Sequence, residues 1–428
     1  MFYLAYNILS LFLLLPVVMY HFYRSASRGR KSCFSERFGV IPEEELRKIK
    51  GRPVIWLHAV SVGETIAAKP LLQALRSRYP DYAIVLSNTT ETGREIASKL
   101  TEKDLCLYFP FDFLPAVRNA LKTIRPKMVI IMETEIWPNF NREAARLGIP
   151  LLLANGRISD RSYNRYLKFS WFFRHPLAFF SALCMQTETD RQRIIDIGAP
   201  VGRTIAAGNL KYDIPFHKVL LEEKNHLRDQ YAIPHGLSVI TAASTHRGEE
   251  EAILNCYSQI IQQHKNIFLV LVPRHPERAT EVDDLTRQAG LNCRRRTSLN
   301  SSSEAFSAGE VLLVDTVGEM MKLYSLSDIA FVGGSLVPTG GHNLLEPASM
   351  GIPCMFGPHM TNFREISQMV LEFQAGLQIN AADELAAACM QLIDDNAFRQ
   401  QTGENALTMM QSAGGATERH MRLIAEQL

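Results

Sequence analysis

The sequence lacks the short motifs that mark several common enzyme classes. It contains no G-x-G-x-x-G turn, no G-x-x-x-x-G-K-[ST] loop, no H-E-x-x-H pair and no D-x-D sequence. These absences disfavour hydride transfer, ATP hydrolysis, zinc peptidase chemistry and metal-bound recognition of a sugar diphosphate. The chemistry must therefore be sought in other residues.

Clustered cysteines and a strong excess of one charge are also missing. The seven cysteines show no C-x-x-C spacing, which is typical of free thiols in a reducing compartment. His246, His275 and His342 do not have zinc-site spacing either, so we expect neither a bound metal nor a cofactor. A net charge of +2 argues against nucleic acid as a partner.

An apolar segment opens the chain. Phe2–Tyr20 contains no charged residue and has about the length that spans a bilayer, and a basic segment follows it. Because basic flanks stay on the cytoplasmic side, we predict a single-pass membrane anchor over residues 1–23 with a cytoplasmic body. The alternative is a helix that lies in the membrane interface without spanning it, since Tyr3, Asn7 and Pro16 interrupt the apolar run.

Continuous apolar strands alternate with helices through most of the chain, and this pattern indicates parallel sheets covered on both faces. We therefore predict an α/β fold with two doubly wound parallel-sheet domains that face each other across a cleft. The predicted bounds are residues 24–210 for the first domain, 211–235 for a linker, 236–405 for the second domain and 406–428 for a C-terminal helix. Ligands of such sheets bind beyond the carboxyl ends of the strands.

Acidic residues follow two predicted strands of the first half. Glu64 comes after the strand Pro53–Ala59, and Glu133 and Glu135 come after Lys127–Met132. A carboxylate such as Glu64 can take a proton from a bound hydroxyl group. The competing interpretation is that Ser61-x-x-Glu64 is a capping box and that the other two glutamates are solvated.

Basic and glycine-rich sequence occupies the corresponding positions of the second half. Arg274 follows one predicted strand and can bind phosphate as a fork, while Lys211 offers a point charge in the linker. In Phe331–Met350, paired glycines leave backbone N–H groups open, and Asn343 and Glu346 suit the start of a helix. This arrangement favours a phosphate site, although an ordinary capping box explains Asn343 and Glu346 equally well.

A basic and aromatic segment, Arg157–Arg174, can meet an anionic lipid surface. A partly buried helix with a solvated face explains the same composition.

Several motifs in one order resemble the 3-deoxy-D-manno-octulosonic acid (Kdo) transferase family of lipopolysaccharide synthesis, which are glycosyltransferases of the GT-B type. The motifs cover nearly the whole chain: HAVSVGET at 58–65, IMETEIWPN at 131–139, GNLKYD at 208–213, STHRGEE at 244–250, LVPRHPER at 271–278, DTVGEM at 315–320, FVGGSL at 331–336, GGHNLLEP at 340–347 and FGPH at 356–359. The number and order of these motifs make the resemblance far more specific than any one of them.

The resemblance implies transfer of Kdo from a CMP-Kdo donor to the tetraacylated lipid A precursor, with inversion, at the cytoplasmic side of the inner membrane. By similarity, Glu64 is the general base, Glu133 and Lys211 stabilise the transition state, and the first domain binds the acceptor. The positions that match CMP-Kdo binding lie in the second domain: Pro273, Arg274, Val317, Gly318, Glu319, Asn343, Leu344, Leu345 and Glu346. Val317 and Tyr212 stand where many relatives have Met and Phe.

Two rival functions remain at this point. One is a GT-B enzyme or a sugar-nucleotide epimerase that acts on another nucleotide sugar. The other is a membrane-anchored protein that binds a nucleotide and catalyses nothing, which the joint presence of acids and phosphate-binding residues disfavours.

Overall fold

The computed structural model describes residues 2–27, 33–300 and 303–428. These residues form two compact units, which we call the N-terminal unit (Met1–Asp213 with Ala413–Leu428) and the C-terminal unit (Ile214–Ser412). The chain therefore returns to the N-terminal unit after completing the C-terminal unit.

Seven parallel strands form the sheet of the N-terminal unit, in the order β3-β2-β1-β4-β5-β6-β7. The strands are β1 Val54–His58, β2 Ala83–Asn88, β3 Leu105–Tyr108, β4 Met128–Met132, β5 Leu151–Gly156, β6 Ala182–Met185 and β7 Thr204–Ala206. The helices before the C-terminal unit are α1 Phe2–Ser27, α2 Phe34–Arg37, α3 Glu43–Arg47, α4 Val62–Ala67, α5 Lys69–Arg78, α6 Glu91–Lys99, α7 Leu114–Ile124, α8 Pro138–Arg146, α9 Asp160–Lys168, α10 Ser170–Leu177 and α11 Glu188–Ile197.

The C-terminal unit also contains seven parallel strands, in the order β10-β11-β9-β8-β12-β13-β14. They are β8 Ser238–Thr245, β9 Ile267–Pro273, β10 Cys293–Arg295, β11 Val311–Leu313, β12 Ile329–Val332, β13 Cys354–Phe356 and β14 Gly376–Gln378. Its helices are α12 Leu221–Gln230, α13 Glu249–Gln263, α14 Ala279–Gln288, α15 Met320–Leu326, α16 Leu345–Ser349, α17 Arg364–Glu372, α18 Glu384–Asp394 and α19 Asn396–Ala413, and the final helix, α20 Ala416–Ala425, lies in the N-terminal unit.

Each sheet is buried on both faces, which explains the continuous apolar runs of its strands. Every residue of β1 and β4 is buried. In β1, Trp56 packs into a core on one face, while Ile55 and Leu57 pack into a second core on the other face. Helices therefore cover both faces, as expected for a doubly wound sheet.

The strand order reverses at one place in each sheet. In the N-terminal unit the reversal lies between β1 and β4, and in the C-terminal unit it lies between β8 and β12. Helical connections leave a doubly wound sheet in opposite directions at such a point, so a crevice opens at the carboxyl ends of the two strands. The loops that follow these four strands are therefore the first places to look for a site.

The two parallel-sheet α/β domains predicted from the sequence are confirmed, with local differences. The short edge strands β10 and β14 were not predicted, because three residues give little periodicity. Residues 211–235, predicted as a linker, contain α12, and residues 406–428, predicted as one helix, contain the end of α19 and all of α20.

The N-terminal helix does not support the predicted single-pass anchor. No helix within the described ranges is long and apolar enough to cross a membrane. The polar side chains that interrupt the apolar run contact the rest of the unit: the Tyr6 hydroxyl donates to Asp112 at 2.7 Å, and Asn139 Nδ2 donates to Asn7 Oδ1 at 2.9 Å. One side of α1 thus packs against the protein.

We predict that Gly357→Ala destabilises the protein. A Cβ at Gly357 would lie 2.2 Å from the Ser335 carbonyl oxygen and 2.5 Å from the Leu336 nitrogen. These are backbone atoms, which cannot move aside as the end of a flexible side chain can. Overpacking of this kind lowers the free energy of unfolding by about 1–3 kcal/mol. Urea unfolding followed by circular dichroism measures the change.

Gly202→Ala is the control, because no atom lies within 4 Å of its added Cβ. An equal effect of the two substitutions would contradict the close packing at Gly357.

Candidate functional site

Glu64 lies in the first turn of α4, in the loop region that follows β1. Ser61 caps this helix, and its hydroxyl accepts from the Glu64 N–H at 3.4 Å. The Glu64 carboxylate in turn accepts from the Ser61 hydroxyl at 2.9 Å and from the Val60 N–H at 2.7 Å. The capping interaction considered from the sequence is therefore present, and it fixes the orientation of the carboxylate.

Burial changes the acidity of this carboxyl group. Glu64 is only 8% exposed, and burial raises its pKa to about 6, the hydrogen bond from Val60 opposing the shift and the charge of Glu133 adding to it. A carboxylate with a pKa near 6 is a stronger base than an ordinary glutamate and is still largely ionised at neutral pH. Capping and base chemistry are thus compatible in this residue.

Glu133 and Glu135 lie directly after β4, on the other side of the strand reversal. Glu133 has a φ of 54°, an uncommon left-handed conformation for a residue other than glycine. Burial raises the pKa of Glu135 to about 7, with further contributions from the charges of Glu64 and Glu133. The three glutamates therefore lie near enough for the charges of Glu64 and Glu133 to raise the pKa of Glu135, and Glu135 is partly buried rather than fully solvated.

Lys211 lies in a 3-10 helix, Leu210–Tyr212, whose position depends on Asn155 at the end of β5. Asn155 Oδ1 accepts from the Leu210 N–H at 2.9 Å, and the Asn155 N–H donates to His420 Nε2 at 3.1 Å. His420 belongs to α20 and is fully buried, and burial lowers its pKa to about 4. The last helix thus supports the segment that carries Lys211.

The Lys211 side chain is exposed and has no ion-pair or hydrogen-bond partner within the described residues. Its amine is therefore free to meet an anion. Asn155 and His420 were not identified from the sequence, because 265 residues separate them and neither belongs to a local motif.

In the C-terminal unit the glycine-rich loop after β12 differs from the expected phosphate site. The Gly334 N–H donates to Glu249 at 2.7 Å, and the N–H groups of Ser335 and Leu336 donate to the same carboxylate at 3.0 and 2.9 Å. Glu249 is completely buried and also accepts from the His246 N–H at 2.9 Å. Of the glycine N–H groups that the sequence left open for a ligand, that of Gly334 is therefore taken by an internal carboxylate, and those of Gly333 and Gly341 donate to the Ala243 and Gly334 carbonyl groups at 2.8 and 2.7 Å.

The helix start around Asn343 also differs from the prediction. Helix α16 is only five residues long, and its N-cap residue is Leu344 rather than Asn343. Asn343 Oδ1 accepts from the Leu345 N–H at 3.2 Å, and the pKa of Glu346 is raised because burial outweighs the hydrogen bond from Asn343. Asn343 thus stabilises the turn into the helix, and the Glu346 carboxyl group lies beside it.

Arg274 follows Pro273, the last residue of β9. Its backbone N–H donates to the Thr245 carbonyl at 2.9 Å, so the carboxyl ends of β8 and β9 lie together. The guanidinium group is exposed and has no hydrogen-bonded partner within the described part of the chain. Its positive charge acts to lower the pKa of His246 and His342, and it opposes the rise that burial causes in the pKa of Glu346. Arg274 therefore lies in the same region as Asn343.

Val317, Gly318 and Glu319 form the loop between β11 and α15. Val317 is 80% exposed, and Gly318 has a φ of 88°, which favours glycine. The Glu319 carboxylate accepts from the Tyr231 hydroxyl at 2.6 Å and from Arg296 Nε at 3.1 Å. The hydrogen bond from the Thr316 hydroxyl and these two bonds together outweigh burial and hold the pKa of Glu319 below its usual value.

Within residues 2–27, 33–300 and 303–428, no group of three or more His, Cys, Asp or Glu side chains is arranged to hold a metal ion.

Comparison with known proteins identifies relatives along most of the chain. Residues 32–214 match the family model of 3-Deoxy-D-manno-octulosonic-acid transferase (kdotransferase). The 3-deoxy-D-manno-octulosonic acid transferase of Haemophilus influenzae is 35% identical over 396 residues, which are 92% of this chain and 91% of the relative. The enzyme of the same name from Bordetella pertussis is 33% identical and covers 87% of each chain.

Solved structures give a likeness of fold alone. UDP-GlcNAc 2-epimerase from Neisseria meningitidis matches 87% of this chain and 100% of its own, with a TM-score of 0.56 and 13% identity. A glycosyltransferase from Rickettsia africae matches 88% of this chain and 99% of its own, with a TM-score of 0.51 and 13% identity. The fold is thus that of two-domain GT-B-like proteins.

We predict that Glu135→Gln stabilises the N-terminal unit at alkaline pH. The pKa of Glu135 is raised from 4.5 to about 7, so the native state holds a proton that the unfolded state has lost between these values. The native state therefore loses stability as pH rises from about 4.5 to about 7, and a neutral glutamine avoids a cost of about 3 kcal/mol at pH 8. Below about pH 4.5 the difference disappears.

Urea unfolding followed by tryptophan fluorescence measures this effect, because Trp56, Trp137 and Trp171 all lie in the N-terminal unit. Glu143→Gln is the contrasting control: the neighbouring Arg118 and Arg146 lower the pKa of Glu143, so its substitution destabilises at pH 8. If Glu135→Gln has the same free energy of unfolding as the wild type at pH 8 as well as at pH 4.5, the pKa of Glu135 is not raised in the native state.

Proposed function

The chain belongs to the 3-deoxy-D-manno-octulosonic acid transferase family of glycosyltransferases, and from this premise we propose that it transfers Kdo from CMP-Kdo to a lipid A precursor. The observation that carries the proposal is the division of chemistry between the units. A buried, base-like glutamate lies at the strand reversal of the N-terminal unit, and unpaired positive charge lies at the strand ends of the C-terminal unit. An inverting transfer from an anionic donor requires both.

We assign donor binding to the C-terminal unit. Arg274 has a free guanidinium group to pair with phosphate oxygens, and Pro273 fixes the chain beside it. Val317 and Gly318 expose a loop next to the anchored carboxylate of Glu319, which can accept hydrogen bonds from the nucleoside. Asn343, Leu344, Leu345 and Glu346 complete the proposed site, the Glu346 carboxylate accepting from ribose hydroxyl groups.

The reaction proceeds as a single displacement in this proposal. The acceptor hydroxyl gives its proton to Glu64 while its oxygen bonds to the anomeric carbon of Kdo. The bond from that carbon to the phosphate oxygen breaks, and the electron pair leaves with CMP. Attack from the face opposite the phosphate inverts the anomeric centre, and Glu64 later releases the proton to water.

Glu133 and Lys211 stabilise the transition state in complementary ways. Glycosyl transfer develops positive charge on the sugar ring and negative charge on the leaving phosphate. The Glu133 carboxylate can stabilise the positive charge on the sugar ring, and the free amine of Lys211 can bind an anionic group. No step in this scheme requires a metal ion.

We further propose that the N-terminal unit rests on the cytoplasmic face of the inner membrane through α1. The side of α1 that does not pack on the protein exposes large apolar residues: Leu4, Ile8, Leu9, Leu11, Phe12, Leu13, Leu15 and Met19. Phe2 packs at 5.0 Å from the ring of Phe172 in α10, so this apolar face adjoins the basic and aromatic segment Arg157–Arg174. Apolar insertion beside basic residues is typical of helices that lie on anionic membranes.

Phe12→Glu with Leu15→Glu tests the membrane proposal. These side chains are 74% and 67% exposed, so their replacement removes apolar insertion and adds repulsion without disturbing the packed side of α1. Binding to vesicles of phosphatidylethanolamine and phosphatidylglycerol is expected to fall at least about tenfold in a sedimentation assay. Val201→Glu, at an apolar site elsewhere in the unit that is 60% exposed, should bind as wild type.

Unchanged vesicle binding of the α1 variant would show that α1 is not the membrane-binding surface.

Glu64→Gln tests the proposed base. The amide keeps the size of the side chain but cannot accept a proton, so we expect the transfer rate to fall by about 10²-fold or more while CMP affinity is retained. In the wild type, kcat/KM should rise with pH through about 6, because the carboxyl group must be ionised to act. CMP release and lipid product are measured together, with surface Glu188→Gln as control.

Full activity of Glu64→Gln, or loss of CMP binding with it, would count against the base role.

A further inference from the structure

The anchoring of the glycine-rich loop raises the question of how the C-terminal unit holds a phosphate. Glu249 already accepts from Gly334, Ser335 and Leu336, and the Gly341 N–H donates to the Gly334 carbonyl at 2.7 Å. These four backbone N–H groups are thus satisfied internally. Side chains at the same strand ends are therefore the next groups to consider as contacts to an anion.

Two histidines lie in direct contact at this place. His246 follows β8 and His342 follows the loop after β12, so they come from the two strands that flank the reversal. Their Nε2 atoms are 2.9 Å apart, and their ring planes are nearly parallel, with an angle of 10° between them and centroids 5.2 Å apart. The contact requires one Nε2 to carry a proton and the other to accept it.

Basic side chains surround the pair. Arg274 and His275 face it from the segment after β9, and Arg278, which pairs with Glu250 and Glu281, lies nearby, while Glu249 of α13 is the acidic group that faces His246. Burial and the charge of Arg274 lower the pKa of His246 against the opposing charge of Glu249, and burial with His246 and Arg274 lowers that of His342 to about 4. The pair is therefore neutral at pH 7 without a ligand, although it lies in a positive environment.

We propose that the His246–His342 pair is part of the anion-binding site and takes up a proton when the phosphate of the donor binds beside Arg274. This inference rests on the proposed function. It adds to the donor site two histidines that together gain one proton when the phosphate binds. Glu249 acts as a positioning residue, because its single carboxylate fixes both the His246 backbone and the loop that leads to His342.

The chemistry of paired imidazoles explains why one proton is taken up and not two. A neutral pair has a free ring nitrogen that can accept a proton while the Nε2–Nε2 hydrogen bond remains. A second proton would place two like charges in contact and break that bond, so the two groups titrate together. A phosphate with negative charge nearby offsets the burial and repulsion that keep the unliganded pair neutral, and so raises its affinity for the first proton.

Calorimetric titration of the full-length protein with CMP tests this inference. Measurement at pH 6.5 in buffers of different ionisation enthalpy gives the number of protons taken up per CMP bound. Because the phosphate of CMP itself titrates near pH 6, the readout is the difference between wild type and variant. We expect the wild type to take up more protons than His342→Gln, by up to one per CMP.

The affinity for CMP gives a second readout. Loss of one charge-assisted contact should weaken CMP binding by about tenfold at pH 6.5, and less at pH 8.5, where the pair is harder to protonate. His246→Gln provides an independent test if His342→Gln folds poorly, and thermal unfolding establishes which variants are folded. His226→Gln, an exposed histidine of α12, is the control and should match the wild type.

The outcomes separate the inference from the proposed function. CMP binding with equal proton uptake and equal affinity in the wild type and both folded variants would overturn the role of the histidine pair and leave the donor assignment intact. A folded wild-type protein that does not bind CMP at any pH between 6 and 8.5 would overturn the donor assignment and this inference with it.

Discussion

The reversal of strand order in the middle of each parallel sheet determines where this protein can concentrate polar chemistry. Both sheets are buried on two faces, and the connections diverge at the carboxyl ends of the strands beside each reversal, which leaves room for polar side chains there. Glu64 and Glu133 follow the two strands of the first reversal, and His246 and Gly334 follow those of the second. The glutamates of the N-terminal unit and the histidine and glycine-rich loop of the C-terminal unit thus occupy equivalent places in the two sheets.

The same residue type performs different tasks at these two places because its surroundings differ. Glu249 is fully buried but accepts from four backbone N–H groups, which makes it a structural anchor. Glu64 is also buried but accepts from fewer donors, and burial together with the charge of Glu133 raises its pKa to about 6, so that its carboxylate can act as a base. The two carboxylates therefore differ in the number of hydrogen bonds that they accept.

Much of the fold and part of the site follow from the sequence. Long apolar strands and the acids after them are local patterns, so the sheets, the Ser61–Glu64 capping interaction and the positions of the glutamates at the strand ends were predictable. The bond from the Gly334 N–H to Glu249, 85 residues away, depends on tertiary packing, so the sequence alone predicted that this N–H group is open to a ligand. The support of the Lys211 segment by α20 and the packing of one side of α1 are long-range for the same reason.

Mass spectrometry of the lipid after incubation of the full-length protein with CMP-Kdo and tetraacylated lipid A precursor tests the proposed transfer itself. We expect a mass gain of one or more Kdo units, with release of CMP, and the same gain when EDTA is present. A folded protein that transfers nothing from CMP-Kdo but transfers a sugar from a UDP-linked donor would contradict the proposed donor and acceptor chemistry. The family assignment and the fold would remain unaffected.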